Sequence, residues 1–199
     1  MTAWIRMIPL EEATGKLAEA YKKVTTPHGT VDNVMKAHSL RPHTMEGHVA
    51  LYRSVLHTPD NTLPFWFLEV IASYTSSLNK CLYSFTHHFT NARRLMNDKA
   101  KSDLVLSAMD ARNPALAFSG KELALMVYAG KLTTDVGAME KADVDALHNA
   151  GCDDGEILEV NQVVGYFNYS NRLLNGLGVT TEGDVIGYYK EDEQQGGAA

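Results

Sequence analysis

Apolar residues in this chain recur at the spacing of an α-helix, and this spacing most constrains the fold. The clearest case follows Pro64, where Phe65, Leu68, Ile71 and Ala72 repeat at helical spacing. No stretch alternates apolar and polar residues for long enough to predict a half-buried strand. The sequence therefore predicts an all-α protein built as a helical bundle.

The length of the chain predicts one domain. Its 199 residues can bury one sizeable core, and nothing in the sequence forces a second. We assign residues 1–190 to a single helical domain and expect the polar segment 191–199 to be a disordered tail. The segment that starts at Glu122 resembles the one that starts at Glu69 in its apolar spacing, which is a weak sign of a duplicated helical hairpin.

The charge of the chain excludes some classes of partner. A formal net charge of −6 and a pI of about 5.7 argue against a nucleic-acid surface, and no basic stripe opposes this. No apolar run is long enough to span a bilayer, and the first residues lack the pattern of a signal peptide. We therefore expect a cytoplasmic protein that binds neither nucleic acid nor membrane.

Chemically versatile side chains are concentrated where two helical patterns meet at Asn79. If the second pattern is helical, Cys81, Ser84 and His88 stand at i, i+3 and i+7 and share one face. Asn79 is a suitable N-cap, which would place Cys81 in the first turn, where the free amides favour a thiolate. A hairpin would return Glu69 from the preceding helix to the same face.

This arrangement resembles the signature of the AhpD-like, or carboxymuconolactone decarboxylase, superfamily, and in particular its peroxidase-related branch. The flanking sequence agrees over roughly residues 27–188. The resemblance is carried by six polar positions around the junction: Glu69, Ser76, Asn79, Cys81, Ser84 and His88. It implies an all-α subunit that assembles as a homo-oligomer, a trimer or a hexamer.

The resemblance also implies a function. Peroxidase members of the superfamily reduce hydroperoxides with two cysteines, of which the second attacks with the help of a glutamate–histidine relay. Here Ser84 occupies the position of that second cysteine, so the usual internal disulfide cannot form. The leading hypothesis is a thiol-dependent antioxidant activity, without a cofactor, in which Cys81 attacks and Glu69 and His88 form the relay. The product would then be resolved by an external reductant or by Cys152.

A second hypothesis keeps the relay and drops the redox step. Ser84 and His88 at i, i+4 could share a hydrogen bond while Glu69 orients the imidazole, which would supply a general base and a nucleophile. The protein would then be a nonredox lyase or hydrolase of the carboxymuconolactone decarboxylase type. Its substrate would be a small organic acid or lactone rather than a hydroperoxide.

Two further interpretations remain open. The first is a metal-dependent enzyme, in which Glu69 and histidines from the first half of the chain bind the ion: His38, His43, His48, His87 and His88. Because the spacing of these residues matches no tight ligand motif, we assign no metal ligands. The second interpretation is a noncatalytic oligomer that retains the motif as a relic. Tyr83 either lines a substrate pocket or packs in the core.

Overall fold

The computed structural model describes residues 2–187, and this part of the chain contains helices and turns but no β-strand. The all-α prediction is therefore confirmed, whereas the predicted tail 191–199 and the end of the predicted domain lie outside the described residues. The helices are α1 Gly15–Lys22, α2 Asn33–Lys36, α3 Pro42–Leu56, α4 Phe65–Leu78, α5 Leu82–Met96, α6 Lys99–Asp110, α7 Gly120–Thr134, α8 Lys141–Asn149 and α9 Asp154–Leu177.

Helix α4 lies at the centre of the bundle. It is apolar on nearly every face, which is the pattern of a helix surrounded by others, and Phe67 to Ser76 are all buried. It packs against α5, α7 and α9. From α9 the main core receives Val160, Val163 and Val164, which have no solvent exposure. Among residues 2–187, none of the helices combines the length and apolar character needed to cross a bilayer.

The link between α4 and α5 is short, and it differs from the prediction. Asn79 ends α4, because its N–H bonds to the Thr75 carbonyl at 3.1 Å. Lys80 adopts a left-handed conformation, and Cys81 is the N-cap of α5. The prediction that Asn79 caps the second helix is therefore wrong. The short link turns α5 back along α4 in an antiparallel hairpin.

Of two buried histidines in the first part of the chain, His48 is linked to α9 and His38 is linked within the first part itself. His48 Nε2 lies 3.0 Å from the hydroxyl oxygen of Tyr166, and His38 Nδ1 lies 2.9 Å from the hydroxyl oxygen of Thr44. The two imidazole rings are 4.9 Å apart. Burial lowers the pKa of His38. Burial and the neighbouring His38 lower the pKa of His48 to about 4.

Acid should therefore destabilise this fold well above pH 4. Burial also lowers the pKa of His57 to about 4. Between pH 6.5 and 4 the unfolded chain binds protons that the folded chain excludes at these sites, so the free energy of unfolding falls as the pH falls. We expect His48→Gln to remove about 2 kcal/mol of the loss between pH 7 and 4.5, measured by urea unfolding at both pH values.

The exposed His43 supplies the matched control for this measurement. His43→Gln should retain the pH dependence of the wild-type protein. Equal pH dependence in the wild type and in His48→Gln would contradict the assignment of the acid sensitivity to buried imidazole.

Candidate active site

The antiparallel hairpin of α4 and α5 brings Glu69 and His88 into contact. Glu69 has no solvent exposure, and its Oε2 lies 2.6 Å from Nδ1 of His88. The other carboxyl oxygen accepts a hydrogen bond of 3.3 Å from the side-chain amide of Asn91. Both oxygens of this buried group are thus satisfied by α5, as burial of a carboxyl group requires.

This geometry leaves one ring nitrogen of His88 for chemistry. Because Nδ1 is held by Glu69, Nε2 is the nitrogen that can exchange a proton with another molecule. The His88 ring packs edge-on against Phe167 of α9, with 4.6 Å between ring centroids. The side chain keeps 12% of its surface exposed, whereas Glu69 behind it has none. The pair has the arrangement of a proton-transferring imidazole oriented by an acid.

Ser84 lies on the same side of α5 but takes part in a different network. Its hydroxyl oxygen is 3.0 Å from that of Ser76, which in turn lies 3.3 Å from the Asn171 side chain of α9. All three residues are buried. No hydrogen bond joins Ser84 to His88, both of which the structure describes. The relay expected between these two side chains is therefore not formed in this structure.

The sulfur of Cys81 lies in an apolar environment. Cys81 is 1% exposed and packs in a small cluster with Ala3, Ala37, Leu174 and Val179. Burial raises the pKa of the Cys81 thiol, and a hydrogen bond from the backbone N–H of Ser84 only partly opposes this. The expectation that the helix start favours a thiolate is thus wrong, because desolvation outweighs the amide donor.

Cys152 does not accompany Cys81. Both thiols are free and buried, but Cys152 packs in the main core beside α9, whereas Cys81 belongs to the separate small cluster. Burial raises the pKa of Cys152 as well. The structure therefore does not bring Cys152 to Cys81 as a resolving partner.

Tyr83 points away from the Glu69–His88 pair. Its hydroxyl donates a hydrogen bond of 2.5 Å to Asp184 and accepts one of 3.1 Å from the backbone N–H of Val34. Burial and the nearby Asp184 carboxylate raise its pKa well above the usual value for tyrosine. Asp184 is 101 residues away along the chain, so sequence spacing gave no sign of this contact.

The histidines that suggested a metal site are dispersed. His38 and His48 form one group, His88 bonds to Glu69, and His87 lies 3.7 Å from Asp184. Within residues 2–187, no three His, Cys, Asp or Glu side chains are grouped so that they could hold a metal ion.

Sequence reasoning missed Asn91, which contacts the predicted site residue Glu69, and did not predict the contact of Asn171 with Ser76. Asn91 follows His88 at i+3 on α5 and binds Glu69, so its helical spacing could have revealed it. Asn171 reaches Ser76 from α9, and only the tertiary fold shows this contact. Near Asn171, a crevice of about 330 Å³ opens to solvent between the end of α4 and α9, lined by Asn79, Asn171, Arg172 and Asn175.

The Glu69–His88 pair should be strongly coupled in stability. Removing either partner leaves a buried polar group of the other unpaired, so a double-mutant cycle with Glu69→Ala and His88→Ala should give a coupling energy of about 1–3 kcal/mol. Urea unfolding of the four proteins measures it. The exposed pair Lys99–Asp103 is the matched control, and a coupling no larger than that of the control would contradict the buried contact.

Comparison with solved structures identifies the fold. A peroxidase-related protein from Ralstonia eutropha, described as an alkylhydroperoxidase AhpD core, aligns with a TM-score of 0.77 and 22% sequence identity, over 91% of this chain and 93% of its own. A peroxidase-related protein from Silicibacter aligns with a TM-score of 0.76 and 23% identity, over 90% and 91% of the two chains. This chain thus has the AhpD-like all-α fold, as the sequence resemblance implied.

A third structure extends the range of chemistry found on this fold. The debrominase Bmp8 aligns with a TM-score of 0.71 and 16% identity, over 92% of each chain. A cysteine-to-alanine variant of that debrominase has been crystallised with 2,3,4-tribromopyrrole. No protein-family profile and no curated protein matches the present sequence.

Proposed function

We propose that this protein is a cofactor-free enzyme in which the Glu69–His88 pair performs general acid–base catalysis on a small organic molecule, as a nonredox lyase or hydrolase. The observation that carries the proposal is the 2.6 Å contact between a carboxyl group with no solvent exposure and the Nδ1 atom of His88. An imidazole held in this way has a fixed orientation and one nitrogen available for proton transfer.

The state of the thiol is the reason to place acid–base chemistry ahead of peroxide reduction. A thiolate is the attacking species in reactions of cysteine with peroxides. Burial raises the pKa of Cys81, and its neighbours are apolar, so the thiolate is disfavoured at neutral pH. The contact between Glu69 and His88, by comparison, is already formed in the structure.

Each side chain of the site then has a distinct role. His88 Nε2 moves the proton, Glu69 orients the imidazole, and Asn91 binds the second oxygen of Glu69. We assign Ser84 a positioning role and not that of a nucleophile, because its hydroxyl group is hydrogen-bonded to Ser76 and not to His88. The substrate class we propose is a small ring-containing organic acid or lactone.

Substitution of the pair should remove turnover of such a substrate. General acid–base catalysis contributes about 100-fold to 10,000-fold to rate, so His88→Gln and Glu69→Gln should each lower kcat by about 100-fold or more, whereas Cys81→Ser should change it by less than about threefold. Steady-state kinetics on a panel of small lactones and organic acids measures this. His43→Gln is the matched control. Loss of turnover in Cys81→Ser with full activity in His88→Gln would sink the proposal.

A second candidate is thiol-dependent reduction of hydroperoxides, an antioxidant activity. The hydrogen bond from the Ser84 N–H to the Cys81 sulfur favours it, because such donors stabilise a thiolate once it forms. The peroxidase-related proteins with this fold also support it. In this reaction the Cys81 thiolate attacks one peroxide oxygen, the O–O bond breaks and the alcohol leaves. An external thiol then reduces the sulfenic acid.

Ser84→Cys tests this candidate by adding a second thiol one helical turn from Cys81. If the site supports peroxide chemistry, the variant should form a disulfide between Cys81 and the introduced thiol on treatment with cumene hydroperoxide. It should also consume peroxide faster than the wild type, with dithiothreitol as reductant. Intact-protein mass spectrometry and peroxide assay measure both. The matched control is Ser84→Ala, and a Ser84→Cys protein with no disulfide and no gain in peroxide consumption would rule the candidate out.

We also propose that the protein acts as a cytoplasmic homo-oligomer, either a trimer or a hexamer. Several large apolar side chains are more than half exposed on the isolated subunit, and a subunit contact would bury those that it covers: Trp4, Leu82, Val127, Val136 and Leu158. Native mass spectrometry should give a trimeric or hexameric mass, and cell fractionation tests the compartment. A monomer at micromolar concentration would contradict the oligomer.

A further inference from the structure

The two ends of the described chain meet over Cys81. The backbone N–H of Trp4 donates to the Leu177 carbonyl at 2.7 Å, and that of Thr180 donates to the Thr2 carbonyl at 2.9 Å. Ala3 from one end and Val179 from the other pack in the small cluster around the sulfur. The thiol is therefore sealed from solvent partly by these terminal segments and not by the long helices alone.

Residues 178–187, which we call the C-terminal strap, are fastened mainly by polar contacts. The side-chain amide of Asn33 donates to the carbonyls of both Thr180 and Glu182 at 2.9 Å. Further along, Arg94 of α5 donates to the Gly187 carbonyl at 2.7 Å. Within the strap Val179, Gly187 and the side chain of Asp184 are buried, and the other residues are half-buried or exposed. A segment with so little buried apolar surface can open without unfolding the core.

The side chain of Asp184 holds the strap to α5 and to the start of α2. Its side chain is 1% exposed, and its carboxylate accepts the 2.5 Å hydrogen bond from Tyr83 and bonds of 3.1 Å from the backbone N–H of Asn33. His87 lies beside it at 3.7 Å, beyond hydrogen-bonding distance. Tyr83 is two residues from Cys81, so the strap is attached next to the thiol it covers.

The N-terminal segment that packs over Cys81 borders an open crevice. A crevice of about 350 Å³ lies along residues 2–7, the segment that holds Ala3 over the cluster. One backbone hydrogen bond, from Thr180 to Thr2, joins this segment to the strap, and another, from Trp4 to Leu177, joins it to the end of α9. Displacement of the strap therefore removes a support of the N-terminal segment as well.

We propose that the C-terminal strap is a gate latched by Asp184, and that its local opening controls the access of small electrophiles and oxidants to Cys81. The gate is independent of the reaction that the Glu69–His88 pair catalyses, because it governs only whether a reagent reaches the sulfur. Closed, it keeps the thiol protonated and unreactive. Open, it exposes a cysteine at the start of a helix, where free amides favour the thiolate.

The test measures alkylation of Cys81 by iodoacetamide in the folded protein at pH 7.5, in a Cys152→Ser background, by intact-protein mass spectrometry. Asp184→Ala should accelerate labelling by about tenfold or more, because it leaves the Tyr83 hydroxyl and the Asn33 N–H without their acceptor. Asn33→Ala, which frees the strap at Thr180 and Glu182, should act in the same direction. Asp103→Ala removes an exposed carboxylate and should leave the rate unchanged.

A parallel measurement separates local opening from global unfolding. In a Cys81→Ser background, labelling of Cys152 reports on the main core, and Asp184→Ala should leave its rate within about twofold of the wild type. Hydrogen exchange should likewise accelerate in residues 2–7 and 178–187 but not in α4. Unchanged labelling of Cys81 in both Asp184→Ala and Asn33→Ala overturns the gate. Equal acceleration of Cys81 and Cys152 also overturns it, since the effect would then be global.

Discussion

The arrangement of the bundle depends on keeping one buried carboxyl group hydrogen-bonded. Glu69 lies in the most apolar of the helices that the structure describes, where an unpaired carboxyl group would cost several kcal/mol. Both of its oxygens find donors on α5, at His88 and Asn91. A displacement of α5 by one turn would remove both partners, so the pair fixes the register of the hairpin. The link between the two helices is short, and Lys80 within it has a left-handed conformation.

Helix α5 presents different chemistry on two of its sides. His88 and Ser84 face α4 and α9, where buried side chains form a polar stripe between helices. His87, one residue before His88, is turned about 100° around the helix axis and faces Asp184 with Tyr83. Cys81 caps the start of the helix and packs on this second side. Proton transfer and thiol chemistry are therefore served by different surroundings, although their residues are close in sequence.

The sequence was sufficient for features that depend on local spacing. The helical spacing after Pro64 predicts a helix there, and α4 begins at Phe65. The contact of Glu69 with His88 also follows from two helices and a short link. The environment of Cys81 could not be predicted in this way, because it depends on Val179 and other residues far along the chain. The free amides at a helix start lower the pKa of a solvated thiol, whereas burial in an apolar cluster raises it.

The role of Asn79 at the junction of α4 and α5 is a second feature that the sequence alone could not predict. Asparagine is suited to either end of a helix, so residue type alone did not decide whether Asn79 ends α4 or begins α5. The decision comes from tertiary structure: the Asn79 carbonyl accepts a hydrogen bond from Asn175 of α9, and its side chain donates to Asn168.

The contact of His38 with Thr44 also determines where a single hydrogen atom resides. The Thr44 hydroxyl donates to the Arg41 carbonyl at 2.8 Å, so its oxygen can only accept from His38 Nδ1. His38 is thereby the tautomer with hydrogen on Nδ1, and its Nε2 carries a lone pair in the protein interior. A buried acceptor without a donor is less costly than a buried donor without an acceptor. Thr44 therefore selects the tautomer of His38 whose burial in the bundle costs less free energy.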